Sequence, residues 1–285
     1  MSDDLDWLTR TPEQATEAAF RFYEQHTRDM QHVASGAVIF REYERVLRGL
    51  AAAFSEIAPN GDTEILFPEF HAARRRIEKN LNELTPVSAG VGLTRCVENF
   101  LSYVSDVITD ALISQPDLLR SQEQVTLEEV LQHDSIEDFV SWAAEKRVAQ
   151  LSFKGLNEIA QYISKRLGLE LHQGEVEWLE LKKGVAIRNL IVHRRGRVDQ
   201  RFIHSTGEQG LIKGSVYEVA MRDYVRTAAS AMKIVGEFDA KVAQKFPLTR
   251  RSTTGESWYS QGRWGPEGRE GGKGISPESV EGATE

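Results

Sequence analysis

Apolar residues recur at three- and four-residue intervals through most of this chain, and that spacing commits it to helices. Across residues 91–114, Val97, Leu101, Val104 and Ile108 fall on one stripe, the pattern of a helix that buries one face. Pro116 closes that segment. Upstream, Ile39, Tyr43, Val46, Leu50, Phe54 and Ile57 are spaced for one face of another helix. Thr11-Pro12-Glu13-Gln14 predicts its start, combining a capping box with proline at the first helical position. Pro59-Asn60-Gly61-Asp62 predicts its end. A helix over 67–84 is expected to stop before Pro86, because proline disfavours helical geometry in the residue ahead of it.

The remaining signals are also helical. A short helix is expected over 126–132, and Ser135-Ile136-Glu137-Asp138 opens a segment reaching Arg166 with a break near Gly155. Another helix runs from about Glu175 to Arg194 or Arg195, with Gly196 placed as its left-handed cap. A small hairpin is expected near 201–213, where Gly207-Glu208-Gln209 separates two short apolar runs. Ser215-Val216-Tyr217-Glu218 then caps a last helix ending at Phe246. From Thr249 onward the composition shifts, and eight of the 22 glycines lie from Gly255 to the end. Such a segment cannot bury enough surface to fold and reads as a disordered tail. Trp258, Tyr259 and Trp264 within it could dock on a partner or stack on bases. The expected class is all-α: an N-terminal helical extension over 1–88, a helical bundle over 89–248 and the tail over 249–285.

Composition narrows the function. With 40% hydrophobic and 27% charged residues, 285 residues can bury a full core. No apolar run has the length of a membrane span, and Ser2-Asp3-Asp4 is the opposite of a secretory n-region; a cytoplasmic protein without membrane association is expected. The single cysteine, Cys96, excludes an internal disulfide framework and reads as core. No phosphate-cradling glycine fingerprint, hydrolase elbow or metal-ligand cluster stands out, so no cofactor or metal is expected. A net charge of −8 argues against coating nucleic acid by bulk electrostatics. The charge is uneven, however: between Arg188 and Arg201 there are five arginines and one acid, Asp199.

That basic stripe begins with Arg188-Asn189-Leu190-Ile191-Val192-His193 and continues through Arg194, Arg195 and Arg197. The hexapeptide sets a permanent cation, a hydrogen-bonding amide and a base that titrates near neutrality at the end of one helix. Arginine four to six residues ahead of histidine also occurs at Arg21/His26, Arg166/His172 and Arg197/His204, so spacing alone discriminates poorly. Context separates Arg188/His193: Asn189 adjoins the arginine, three apolar residues follow, and a basic, glycine-containing turn closes the helix.

With its helical surroundings over roughly 90–246, the hexapeptide resembles the catalytic signature of the HEPN superfamily, the higher eukaryote and prokaryote nucleotide-binding helical domains. The resemblance does not cover the first 60 residues or the tail. It implies an endoribonuclease that needs no metal, of the sort found among prokaryotic toxins and phage-defence proteins, with RNA as substrate. It also implies a homodimer whose two motif helices line one cleft, and an antitoxin or regulatory protein is a further candidate partner. Arg188, Asn189 and His193 would be the catalytic residues, Arg194, Arg195 and Arg197 would hold the RNA backbone, and Glu98 could support the cleft. Residues five apart on a regular helix point about 140° away from each other. Arg188 and His193 therefore meet only if the helix tightens or if two copies combine.

Other readings stand beside these. His193 could be a buried histidine satisfied by a backbone carbonyl. Arg188 could pair with Glu180 or with a carboxylate of the apolar 91–114 helix. A non-catalytic dimeric module binding RNA or protein through the basic stripe uses the same residues.

Overall fold

In the computed structural model, the described residues are 11–253 except 60, 121–124, 153 and 209. The order is β1 (Gln14–Thr16), α1 (Glu17–Ile57), α2 (Thr63–Leu66), α3 (Pro68–Ser114), α4 (Leu127–Leu131), α5 (Ile136–Ser152), α6 (Leu156–Tyr162), α7 (Glu175–Arg194), α8 (Gln200–Thr206), α9 (Met221–Lys245) and β2 (Arg250–Ser252). The fold is all-α, with one two-stranded antiparallel sheet that pairs Ala15 with Arg251.

The C-terminal half of α3 is the central rod. Leu93, Val97, Phe100, Val104, Val107, Ile108, Ala111 and Leu112 are buried along it. Around the rod lie the start of α1 (Ala18, Ala19, Phe22, Tyr23), α7 (Leu181, Ile187, Leu190) and α9 (Ala228, Ala231, Val235, Phe238). Cys96 sits in this core, where burial pushes its thiol up to about 12, so it is a small apolar filler there. A boundary at residue 88 falls inside α3, and the first turns of α1 share the core with the bundle.

Several helix ends differ from expectation. The first helix starts at Glu17 rather than at Thr11, because residues 14–16 pair with β2. Its cap is Thr16, whose hydroxyl accepts the Ala19 N–H at 3.2 Å. Thr16 also donates its own N–H and hydroxyl to the buried Asp239 carboxylate, at 3.0 and 2.5 Å. Burial pushes the Asp239 pKa up, and the bonds from Thr16 oppose that rise. Residues 249–253, expected in the tail, thus close the sheet over this latch, whereas Trp258, Tyr259 and Trp264 lie outside the described residues. The break at Pro86 is absent, and α3 runs 47 residues through it. An interior proline costs roughly 3 kcal/mol. Phe54 of α1 packs against Phe67 and Phe70 at the start of α3, and the core packs its C-terminal half.

The hairpin over 201–213 is also corrected. Asp199 accepts the Phe202 N–H at 2.8 Å and caps α8 in its place. Extended pairing does occur nearby, between residues 196–198 and 214–217. The last helix begins at Met221 rather than near Ser215, with Asp223 reaching back to the Ala220 N–H at 3.1 Å. By contrast, α4 falls within the helix expected over 126–132, with Thr126 as its cap, and Ser135 caps α5 as expected.

Among the described side chains, only Leu47 is buried from residue 31 to 57 of α1 and none from 68 to 88 of α3. These two stretches form an arm beyond the core. The stripe expected on α1 therefore does not face a core of its own chain. Phe54 turns onto α3, while Ile39, Tyr43, Val46, Leu50 and Ile57 remain exposed.

Candidate active site

Three contacts position α7. Gly184 lets it approach α9 so closely that an added Cβ would lie 2.4 Å from the Thr227 methyl. Lys183 donates to Asp223 of α9 at 3.1 Å and also pairs with Glu208. On the other side, Gly90 of α3 faces the Ile191 side chain. The sequence reading missed the Lys183 cluster. Its signal, an acid at the third position of α9, was obscured by placing that helix's start too early.

Arg188 is the best-held side chain of the motif. Its guanidinium pairs with Glu98 of α3 and donates to Asn189 Oδ1 at 2.9 Å. The side chain is 22% exposed, against 48% for Glu98. Arg188 Nε is enclosed, with no hydrogen-bond partner among the described residues, so the donors within reach of a ligand are those on the side of the guanidinium that Glu98 now occupies. Glu98, the carboxylate of the apolar 91–114 helix, is thus brought to the motif, whereas Glu180 pairs with Arg226 at 3.5 Å.

His193 is exposed rather than buried against a carbonyl. Because α7 stays helical through Arg194, Arg188 and His193 diverge by about 140° around its axis. Asn189 connects the two faces: it holds Arg188 directly and lies one turn before His193, on the same side of the helix. Val192 is one turn after Arg188. Val87, Val91 and Glu98 share the outer face of α3, so apolar surface borders the Arg188–Glu98 pair.

The exit turn is fixed by backbone bonds. The Gly196 N–H closes on the Leu190 carbonyl at 3.1 Å, and the Tyr217 N–H on the Gly196 carbonyl at 2.9 Å. Gly196 is left-handed as expected, but Arg195 is too, with φ 53°. That conformation costs a non-glycine residue about 1–2 kcal/mol. Arg195→Gly is therefore expected to raise the thermal midpoint by roughly 2–3 °C, readable by calorimetry, while removing one cation. Arg194 pairs with Asp199 at 3.4 Å, and Arg197 donates to the Gly214 carbonyl at 3.2 Å. Arg195 and Arg201 are exposed.

The other Arg/His pairs are built into different surroundings. Arg21 pairs with Glu17, and His26 is buried beside Phe22. Arg166 donates to the Arg120 carbonyl, while His172 stacks on Trp178. Among the described residues no group of three His, Cys, Asp or Glu side chains could hold a metal ion, and no helix is long and apolar enough to cross a membrane. No family model matches the chain, and no curated protein or solved structure matches it.

Proposed function

We propose that the chain is a metal-independent endoribonuclease of HEPN type whose site is completed by a second copy. One observation carries this reading: Arg188 is fixed by Asn189 and by a half-exposed Glu98 that a phosphate can replace, while His193 stands exposed at the same helix end. A phosphate that displaces Glu98 gains a guanidinium already oriented by its neighbour. Glu98 is half in water and can leave at little cost.

The ribose 2′-oxygen attacks the adjacent phosphorus as His193 takes its proton. The bond from phosphorus to the 5′-oxygen breaks, and that oxygen is protonated by the His193 of the other copy. The products are a 2′,3′-cyclic phosphate and a 5′-hydroxyl. Arg188 stabilises charge on the non-bridging oxygens through paired N–H donors. Arg194, Arg195 and Arg197 hold the flanking backbone. A second copy is required because one α7 cannot aim Arg188 and His193 at a single phosphate. The exposed Val192, one turn from Arg188, and Val87 and Val91, on the same face of α3 as Glu98, favour burial of this surface between copies.

The purified chain, given a mixed RNA pool in EDTA, should leave 2′,3′-cyclic ends, and DNA of the same sequences should stay intact. Mass spectrometry of the products reads both outcomes. Retention of RNA without cleavage would instead support a binding module, a reading favoured by the occupation of Arg188 by Glu98.

A further inference from the structure

We infer that the exposed face of α1 is a self-pairing seam, on which a second copy of this chain docks its own α1 in antiparallel orientation. Ile39, Tyr43, Val46, Leu50, Ala53 and Ile57 follow one another at intervals of four, three, four, three and four residues. That is the 3.5-residue repeat of a helix packed against another helix. All six are exposed, and the five large ones are between 41% and 72% accessible. A membrane or nucleic-acid surface does not require this alternation; a helix with the same repeat does.

The spacing reads identically in both directions, which makes the seam complementary to itself about a two-fold axis midway between Val46 and Leu50. Antiparallel pairing sets Ile39 against Ile57, Val46 against Leu50, and the largest seam side chain, Tyr43, against the smallest, Ala53. Large thus meets small across the axis. Gly49 borders the seam, and nothing among the described residues lies within 4 Å of where its Cβ would be. Glycine is the poorest helix former after proline, and no contact of this chain calls for it there. A partner helix approaching closely does.

Glu42, on the outer edge of the seam, is paired with Arg45 at 3.0 Å, which limits repulsion from the acids of the second copy. The six side chains offer on the order of 600 Å² per copy, so two copies bury about 1,200 Å², the lower end of specific interfaces. The seam lies on the arm, away from Arg188 and His193. The inference is therefore independent of the nuclease reading, and its partner contact is separate from the one proposed around Glu98.

Sedimentation of the full chain at micromolar concentration, together with cysteine cross-linking, tests the pairing. Val46→Glu with Leu50→Glu should halve the sedimenting mass without changing the far-ultraviolet dichroism. Ile39 and Ile57 of one chain are about 27 Å apart, so Ile39→Cys with Ile57→Cys can form a disulfide only between copies. Under oxidised glutathione this double variant should give a covalent dimer that dithiothreitol reverses, and Ile57→Cys alone should not. An unchanged mass for the glutamate variant and no covalent dimer from the cysteine pair would overturn the inference. Equal cross-linking by the single cysteine would overturn the antiparallel orientation. His193→Ala, which tests the nuclease reading, should leave both measurements as in wild type.

Discussion

Replacing His193 with alanine is expected to lower RNA cleavage about 10²–10⁴-fold, the contribution of one positioned acid or base. The thermal midpoint should stay within a degree or so, because the side chain is exposed and makes no described contact that the fold depends on. Arg188→Ala should lose about 10²–10³-fold through the missing charge stabilisation, and Arg188→Lys should recover little of it. A lysine offers a point charge where the site presents a planar fork held by Asn189 and Glu98. Single-turnover cleavage at saturating protein separates these losses from changes in RNA affinity. A His193→Ala variant as active as wild type would remove the proposed base, and the Arg188 variants would then be read as binding defects.

The Arg188–Glu98 pair makes the two arginine variants interpretable. With Glu98 about half exposed, its carboxylate rehydrates when Arg188 is removed, so the ion pair itself is worth only roughly 0–1 kcal/mol. The mostly enclosed Arg188 stem adds a packing loss in Arg188→Ala that Arg188→Lys largely spares. Activity and folding therefore separate most cleanly in Arg188→Lys. Glu98 also explains why the isolated chain need not show an open anion site, since the arginine is already partnered by the acid that a phosphate would replace.

What was legible in the sequence was local. The short helix over 126–132 and the Ser135 cap are read correctly because the bonds that set them close within three residues. The extent of α7 also follows from its own residues, down to the turn at Gly196. The third-helix carboxylate was among the readable partners for Arg188, although spacing could not choose it over Glu180. What escaped was set at long range. The start of α1 depends on β2, more than 230 residues away, and on Asp239. α3 continues through Pro86, which a local proline rule does not anticipate. The α1 stripe was legible as periodicity, but periodicity does not say whether the surface it meets belongs to the same chain. For the site, the motif residues are found where their order places them. Their 140° divergence is likewise a property of the regular helix and could be computed before any coordinates.

Gly184→Val should destabilise the chain by roughly 3 kcal/mol, the upper end of overpacking, and urea denaturation would read the shift. Helix propensity alone predicts the opposite sign, since leaving glycine in a helix interior is unfavourable by about 1 kcal/mol relative to alanine. Packing decides against propensity because the space is already occupied. An added Cβ would lie 2.4 Å from Thr227 Cγ2, 2.6 Å from its Oγ1 and 3.1 Å from its Cβ. Thr227 cannot turn away freely, as its hydroxyl is bonded to the Asp223 carbonyl at 2.8 Å. The two residues should therefore couple. Gly184→Ala and Thr227→Ala should each destabilise, and the double variant should be more stable than their sum by about 1 kcal/mol or more, as for residues in direct contact. Additive effects would show that α7 yields to the extra atom instead of pressing on Thr227. Arg188 follows Gly184 by about one turn on the same helix, so a displaced α7 would carry its guanidinium away from Glu98. Gly184→Ala should then lower RNA cleavage more than its modest loss of stability accounts for, and Thr227→Ala should restore part of it.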